Sequence, residues 1–123
     1  MQSENIFIQK SFNFAVNIVQ FCNSSNNNYQ QNILNRQLLR SGTAVGALIR
    51  EAQNAESKAD FIHKLAISQK ECDESCYWLE ILLKTNMIET KIYDKLYDEA
   101  NTLLKLLRSA ILTTKSKLKN KEY

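Results

Sequence analysis

The sequence predicts an all-α protein, an antiparallel up-down-up-down four-helix bundle formed by a single domain, residues 1–123. The chain has no proline and only two glycines, so it lacks the turn residues that β-sandwiches and barrels need. Apolar residues recur every three to four positions in four long segments, at about 4–22, 30–55, 57–84 and 90–118. Such segments with short connections are typical of antiparallel bundles.

The first segment, about 4–22, carries two neighbouring apolar stripes. The first stripe is Phe7, Ser11, Phe14, Ile18 and Phe21, and the second is Ile8, Phe12, Ala15, Val19 and Cys22. Because these spacings put both stripes on one side of a helix, we expect both to contribute to the core. The six Asn and Ser residues at 23–28 then predict a surface loop, since their side chains compete for backbone hydrogen bonds.

The second segment, about 30–55, is unusual because residues 41–47 are almost all small and include Gly42 and Gly46. A glycine inside a helix costs about 1 kcal/mol relative to alanine. The close approach of another helix is the predicted reason for accepting that cost. A nucleotide-binding glycine loop is excluded, since no strand precedes these glycines and no lysine follows them at the required spacing.

The third segment begins with a capping-box pattern, in which Ser57 is the N-cap and Asp60 lies three residues later. Asn86 is predicted to supply the left-handed residue that ends this helix. The apolar stripe of the third helix is Ile62, Leu65, Gln69, Cys72, Cys76, Leu79 and Leu83. The stripe of the fourth is Tyr93, Leu96, Ala100, Leu103, Leu107, Ala110 and Thr114.

No complete catalytic or metal-binding constellation is present in the sequence. Cys72 and Cys76 lie one helical turn apart, but His63 is too distant to join them, and buried cysteines that act as small apolar residues are the better interpretation. Di-iron sites in bundles need two Glu-x-x-His pairs, and this chain has one histidine. We therefore expect no catalytic residue, no metal, no cofactor and no enzyme activity.

Several polar and aromatic residues are predicted to lie at helix–helix or subunit contacts. Glu71 and Glu74 are interpreted as partners of Arg50 or Lys70 between helices. Tyr77 and Trp78 could stack on bases, but such residues more often anchor a core or a subunit interface. The residues predicted for helix packing or an oligomer interface are Gly42, Gly46, Arg50, Glu51, Glu71, Glu74, Tyr77 and Trp78.

Basic charge is concentrated at the C-terminus. The net charge is +3, and from residue 105 onward six basic residues face Glu122 alone, a balance of +5. This segment could attract nucleic acid or an acidic partner, or it could be a solvated helix end whose lysines complement the macrodipole. The candidate phosphate contacts are Lys105, Arg108, Lys115, Lys117, Lys119 and Lys121, with Arg36 and Arg40 second.

The sequence predicts a cytoplasmic protein with no membrane partner. It has no run of eighteen apolar residues, and its N-terminus, residues 1–4, has neither a basic region nor a cleavable apolar core. Three cysteines, an odd number, indicate reduced thiols.

Three stretches, residues 40–52, 57–65 and 70–79, carry a resemblance to a known family. With them the chain resembles the four-helix bundle proteins encoded in 23S rRNA intervening sequences, to which the accessory variability determinant proteins of diversity-generating retroelements look related. The resemblance covers nearly the whole chain and implies a bundle that assembles into a ring-like homopentamer. It also implies nucleic acid and a reverse transcriptase as partners, since the retroelement proteins bind both.

Two functions of different classes follow. The first is a non-enzymatic oligomeric scaffold that binds structured RNA or DNA, or a nucleic-acid-handling protein, through basic surface. The second is a protein–protein adaptor with no nucleic-acid role, which the modest net charge of +3 favours. Salt-dependent RNA binding distinguishes them, because neutralising phosphates releases counterions.

Overall fold

The computed structural model describes residues 2–25 and 28–121, with side chains over 6–25 and 28–119. These residues form four helices and no strand: α1 (Gln2–Ser24), α2 (Tyr29–Gln53), α3 (Lys58–Lys84) and α4 (Thr90–Lys121). The predicted all-α fold with four helices is confirmed. Helix α4 extends three residues beyond its predicted end at 118, so positions 119 and 121 also lie on the helix.

Neighbouring helices run in opposite directions around the bundle. Helices α1 and α3 each pack against both α2 and α4. Asn35 near the start of α2 donates to the Ser25 hydroxyl just after α1, whereas Gly46 near the end of α2 packs on Ser11. Cys72 of α3 donates to the Ala100 carbonyl of α4, and this contact brings the middles of those two helices together.

The two described N-caps follow from short polar side chains. Asn28 caps α2 by accepting from the Gln31 amide at 2.8 Å. Ser57 caps α3 by accepting from the Asp60 amide at 3.0 Å, as predicted. The Asp60 carboxylate accepts from the Glu56 amide at 3.3 Å. In the usual capping box this side chain accepts from the amide of the N-cap residue itself, here Ser57, so the hydrogen bond is shifted by one residue.

The end of α3 is a Schellman motif centred on Asn86. Asn86 has φ of 60°, and the left-handed conformation predicted for it is confirmed. The Met87 amide donates to the Leu82 carbonyl at 2.8 Å and the Asn86 amide donates to Leu83 at 3.1 Å, which is the hydrogen-bond pair of that motif. Gln31 donates to the Met87 carbonyl at 2.9 Å and ties this turn to α2.

The core lies between the four helices and uses most of the predicted stripes. Cys72 and Cys76 are buried, as predicted. Near the end of α3, Leu82 is fully buried, whereas Leu83 of the predicted stripe is half-buried. The largest fully buried side chains include Phe14, Ile18, Leu38, Ile49, Leu65, Leu79, Leu96, Leu103 and Leu107.

The prediction that both stripes of α1 face the core is wrong for Phe12 and Val19 of the second stripe, whereas Ile8 and Cys22 of that stripe pack partly buried against the core. Phe7, Phe14 and Phe21 are buried, whereas Phe12 and Val19 of the second stripe are 53% and 37% exposed. The reason is geometric, because α1 contacts only α2 and α4. The part of the α1 circumference that α2 and α4 cover is narrower than the two stripes together. Phe12 and Val19 are therefore left at the outer edge of the α1–α2 contact.

Candidate nucleic-acid and subunit interfaces

The two glycines of α2 bring α1 close within one subunit. A Cβ atom at Gly46 would lie 3.2 Å from the Ser11 hydroxyl oxygen and 3.3 Å from the Ser11 carbonyl oxygen. A Cβ atom at Gly42 would lie 3.1 Å from Cγ1 of Ile18. The predicted close approach of a neighbouring helix is therefore confirmed, and α1 is that helix.

Buried serines make the opposite contact, between α2 and α3. Ser75 donates to the Ser41 hydroxyl at 2.9 Å, and Ser68 donates to the Val45 carbonyl at 2.9 Å. All three serines are fully buried. Ser68 and Ser75 were not predicted as contact residues. They alternate with the buried apolar residues of α3 at heptad spacing, and this spacing is the signal that indicates their burial.

A network of charged and aromatic side chains closes the outer edge of the α2–α3 contact. The Arg40 guanidinium donates to Glu71 at 3.1 Å and also to Glu74. The Trp78 indole donates to the same Glu74 carboxylate at 2.9 Å. Arg40 also donates to the Gln37 side chain at 3.3 Å. Two carboxylates therefore neutralise Arg40 within the subunit, and its charge is not free for a phosphate.

The pairing of Glu71 and Glu74 with Arg50 or Lys70 is wrong, because the helix register brings Arg40 to them. The Ser41–Ser75 hydrogen bond fixes that register. Arg50 lies farther along α2, and its guanidinium carbon stands 5.5 Å from the centre of the Phe12 ring of α1. That distance is within the range of a cation–π contact.

The remaining predicted interface residues lie on the surface of α2 and α3. Glu51 accepts from Lys64 at 3.2 Å, an exposed pair between the two helices. Tyr77 is 57% exposed, and its ring meets the Trp78 ring edge-on with centroids 5.0 Å apart. Trp78 is half-buried against the core.

The C-terminal half of α4 presents a basic face. Lys105, Arg108, Lys115 and Lys119 are exposed and recur at three, seven and four residues, so they project from one side of the helix. We call these four residues the α4 basic face. None of them forms an ion pair with a residue that the structure describes.

The other predicted phosphate contacts are separated from this face. Lys117 is exposed, but its position two residues from Lys115 and Lys119 turns it toward another side of α4. Lys121 ends α4, and its side chain lies outside the described residues. Arg36 is exposed and forms no hydrogen bond or ion pair within the described ranges, unlike Arg40.

Burial makes the three thiols poor nucleophiles. It raises the pKa of Cys72 to about 12, and the Cys72 thiol donates to the Ala100 carbonyl at 3.3 Å. Burial also raises the pKa of Cys22 and Cys76 to about 11. These thiols stay protonated at neutral pH, and the thiolate is the reactive form of cysteine.

Neither a metal-binding group nor a membrane span is found within residues 2–25 and 28–121. No three His, Cys, Asp or Glu side chains of this part come together in a group that could hold a metal ion, and His63 is exposed. None of the four helices, over the same residues, is long and apolar enough to cross a membrane.

Comparison with known proteins identifies relatives over most of the chain. The model of the family described as 23S rRNA-intervening sequence protein matches residues 3–109. A solved structure of a protein with unknown function from the S23 ribosomal protein family, from Bacteroides thetaiotaomicron VPI-5482, is similar with a TM-score of 0.84 and 42% sequence identity. That match covers 89% of this chain and 97% of the other chain. The comparison with curated proteins gives no match.

Proposed function

Since the chain belongs to the 23S rRNA-intervening sequence protein family, we propose that it is a non-enzymatic oligomeric scaffold that binds nucleic acid. The ligand class is structured RNA or DNA, and the binding surface is the α4 basic face. The observation that carries the proposal is that the four cations of this face are exposed and unpaired within the described residues. Free cations on a rigid helix are available to phosphates without first breaking an internal ion pair.

The dimensions of the α4 basic face suit a phosphate backbone. Lys105 and Lys119 are fourteen residues apart on one helix, which corresponds to about 21 Å at 1.5 Å per residue. Duplex DNA carries one negative charge per roughly 1.7 Å of its axis. The face therefore spans several phosphates. Lysines near the C-terminus of α4 also complement the helix macrodipole, and this second role does not conflict with the first.

Assembly of several subunits would repeat the α4 basic face, which offers only a few phosphate contacts in one subunit. We propose a ring-like homopentamer, the state that the family resemblance implies, in which the α4 basic face repeats around a symmetry axis. Several linked sites bind more tightly than one because each later contact is intramolecular. Exposed lysines and arginines without a base-reading motif predict electrostatic binding with little sequence preference.

A matched pair of triple variants tests the nucleic-acid role. We expect Arg108→Gln, Lys115→Gln and Lys119→Gln together to weaken binding of a structured RNA and to flatten its salt dependence. Each lost phosphate contact reduces the slope by about 0.7 to 0.9 in log–log terms. The control changes Lys10, Lys84 and Lys95, three exposed lysines outside this face, to glutamine. It removes the same net charge, and we expect it to bind almost as tightly as the wild type.

Filter binding of the structured RNA to the wild type and the two triple variants, at several salt concentrations, measures the affinity and its salt dependence. Equal binding by the two triple variants would overturn the assignment of the α4 basic face. Wild-type binding that does not change with salt would overturn electrostatic recognition altogether and favour the alternative function.

The alternative function is a protein–protein adaptor with no nucleic-acid role. The exposed aromatic residues Tyr77 and Phe12, which are 57% and 53% accessible, favour it, because aromatic side chains are enriched at protein interfaces. A reverse transcriptase, the protein partner that the retroelement resemblance implies, fits both functions. Retention of a purified reverse transcriptase after nuclease treatment would support direct protein contact, and its loss would indicate that nucleic acid bridges the two proteins.

A further inference from the structure

An apolar groove runs along the outer edge of the α1–α2 contact. Phe12 and Val19 of α1 and Leu39 of α2 are 53%, 37% and 36% exposed. Beside Phe12 the surface is concave, with a cavity of about 240 Å³ lined by Phe12, Gly46 and Arg50 among others. A second cavity of about 270 Å³ lies farther along, beside Leu39 and Arg36. We call this surface the α1–α2 groove.

The charge of the α1–α2 groove is of one sign. No aspartate or glutamate occurs between residues 5 and 50, and the charged residues of that stretch are Lys10, Arg36, Arg40 and Arg50. Glu71 and Glu74 neutralise Arg40, so Arg36 and Arg50 remain as the charges beside the two cavities. Two copies meeting groove to groove would bring like charges together, which disfavours a self-complementary contact.

A complementary ridge lies on the outer side of α3. Tyr77 projects from it, 57% exposed, and meets the Trp78 ring edge-on. Asp73 and Glu80 flank Tyr77 at one helical turn on either side, and both are exposed. Asp73 forms no ion pair in the described part of the chain, and Glu80 accepts only the Tyr97 hydroxyl, at 3.0 Å. Lys70 and Lys84 stand at the two ends of this ridge, seven residues on either side of Tyr77. Of the four carboxylates between them, Glu71 and Glu74 pair with Arg40, so Asp73 and Glu80 are the acidic groups next to Tyr77.

We propose that the α1–α2 groove receives the Tyr77 ridge of a second copy of this chain. Arg36 and Arg50 of the groove would meet Asp73 and Glu80, the carboxylates beside the exposed Tyr77 ring, so the charges next to the contact are complementary. Such a contact is head-to-tail, because the copy whose groove is filled still has a free ridge, and the copy whose ridge is used still has a free groove. Head-to-tail contacts close into rings when the rotation between copies permits. This inference rests on the proposed oligomer and states which surfaces join its subunits.

Two single variants and their mixture test the proposal. Phe12→Asp damages the groove and leaves the ridge, whereas Tyr77→Asp damages the ridge and leaves the groove. We expect each purified variant to lose the wild-type oligomer and run as a monomer in native mass spectrometry. Mixed in equal amounts, with one variant ¹⁵N-labelled, they should form a one-to-one heterodimer, because one intact groove and one intact ridge remain.

The control is Leu112→Asp, which places the same charge at a 61% exposed leucine on α4 and should assemble like the wild type. Circular dichroism checks that each variant keeps its helices, and Val19→Glu replaces Phe12→Asp if that variant unfolds. Folded variants that still assemble, or two monomeric variants that give no heterodimer, would overturn the proposed contact while leaving the oligomer in place. A monomeric wild type would overturn the proposed oligomer itself.

Discussion

Helix α2 makes two contacts of different chemistry, with α1 on one side and α3 on the other. Against α1 it presents Gly42 and Gly46, where an added Cβ atom would lie 3.1 Å from Ile18 and 3.2 Å from Ser11. Against α3 it presents the Ser41 hydroxyl and the Val45 carbonyl, which accept hydrogen bonds from two buried serines. The first contact depends on the absence of side chains, and the second depends on paired polar atoms.

The outer edges of the two contacts differ in the same way. Arg40, Glu71, Glu74 and Trp78 close the α2–α3 edge with ion pairs and a hydrogen bond. The α1–α2 edge keeps Phe12 and two arginines without carboxylate partners among the described residues. The charged groups at the α2–α3 edge are therefore paired within the subunit, whereas the α1–α2 edge has exposed apolar and basic surface.

Of the substitutions that test these two contacts, Gly46→Leu is expected to change the stability of the protein most. The new side chain would start 3.3 Å from the Ser11 backbone oxygen, which cannot rotate away as a side chain can. Overpacking of this kind destabilises by about 1–3 kcal/mol, despite the gain in helix propensity. Thermal melts of the wild type and the variant at one protein concentration measure this loss of stability. Ala59→Leu, at an exposed position of α3, is the control, and a raised melting temperature for Gly46→Leu would contradict the close α1–α2 contact.

A smaller effect is expected from Ser68→Ala on the other side of α2. The substitution removes the 2.9 Å hydrogen bond to the Val45 carbonyl, and a typical net contribution for such a bond is about 0.5–1.5 kcal/mol. Urea unfolding compares it with Ser109→Ala at an exposed site on α4. If the two variants unfold at the same urea concentration, the buried serine contact does not stabilise the α2–α3 pair.

Helix positions, caps and glycine packing could be predicted from the sequence because they depend on local patterns. Ser57, Asn86 and the pair Gly42 and Gly46 each have a side chain, or lack one, that suits a single local role. The second stripe of α1 could not be placed correctly, because periodicity gives the direction of Phe12 and Val19 but not the arc that neighbouring helices cover. That arc is a property of the packed bundle.

The candidate site was predictable as a set of charges but not as a set of partners. Glu71 and Glu74 were recognised as members of an ion-pair network, yet their partner is Arg40. The choice between Arg40 and Arg50 depends on the register of α2 against α3, which short polar contacts such as Ser41–Ser75 fix. The same register removes Arg40 from the free cations and leaves Arg36 among them.

Sedimentation velocity with a fluorescently labelled structured RNA tests most directly the claim that this chain is an oligomeric nucleic-acid-binding scaffold. At low salt we expect the protein to sediment as a single oligomer and the RNA to move with it, because the repeated α4 basic face holds the phosphates. At high salt the RNA should sediment alone while the protein stays assembled, since the apolar part of the subunit contact is not screened. A protein that sediments as a monomer, or an RNA that sediments alone at low salt, would contradict the proposed oligomeric nucleic-acid-binding scaffold.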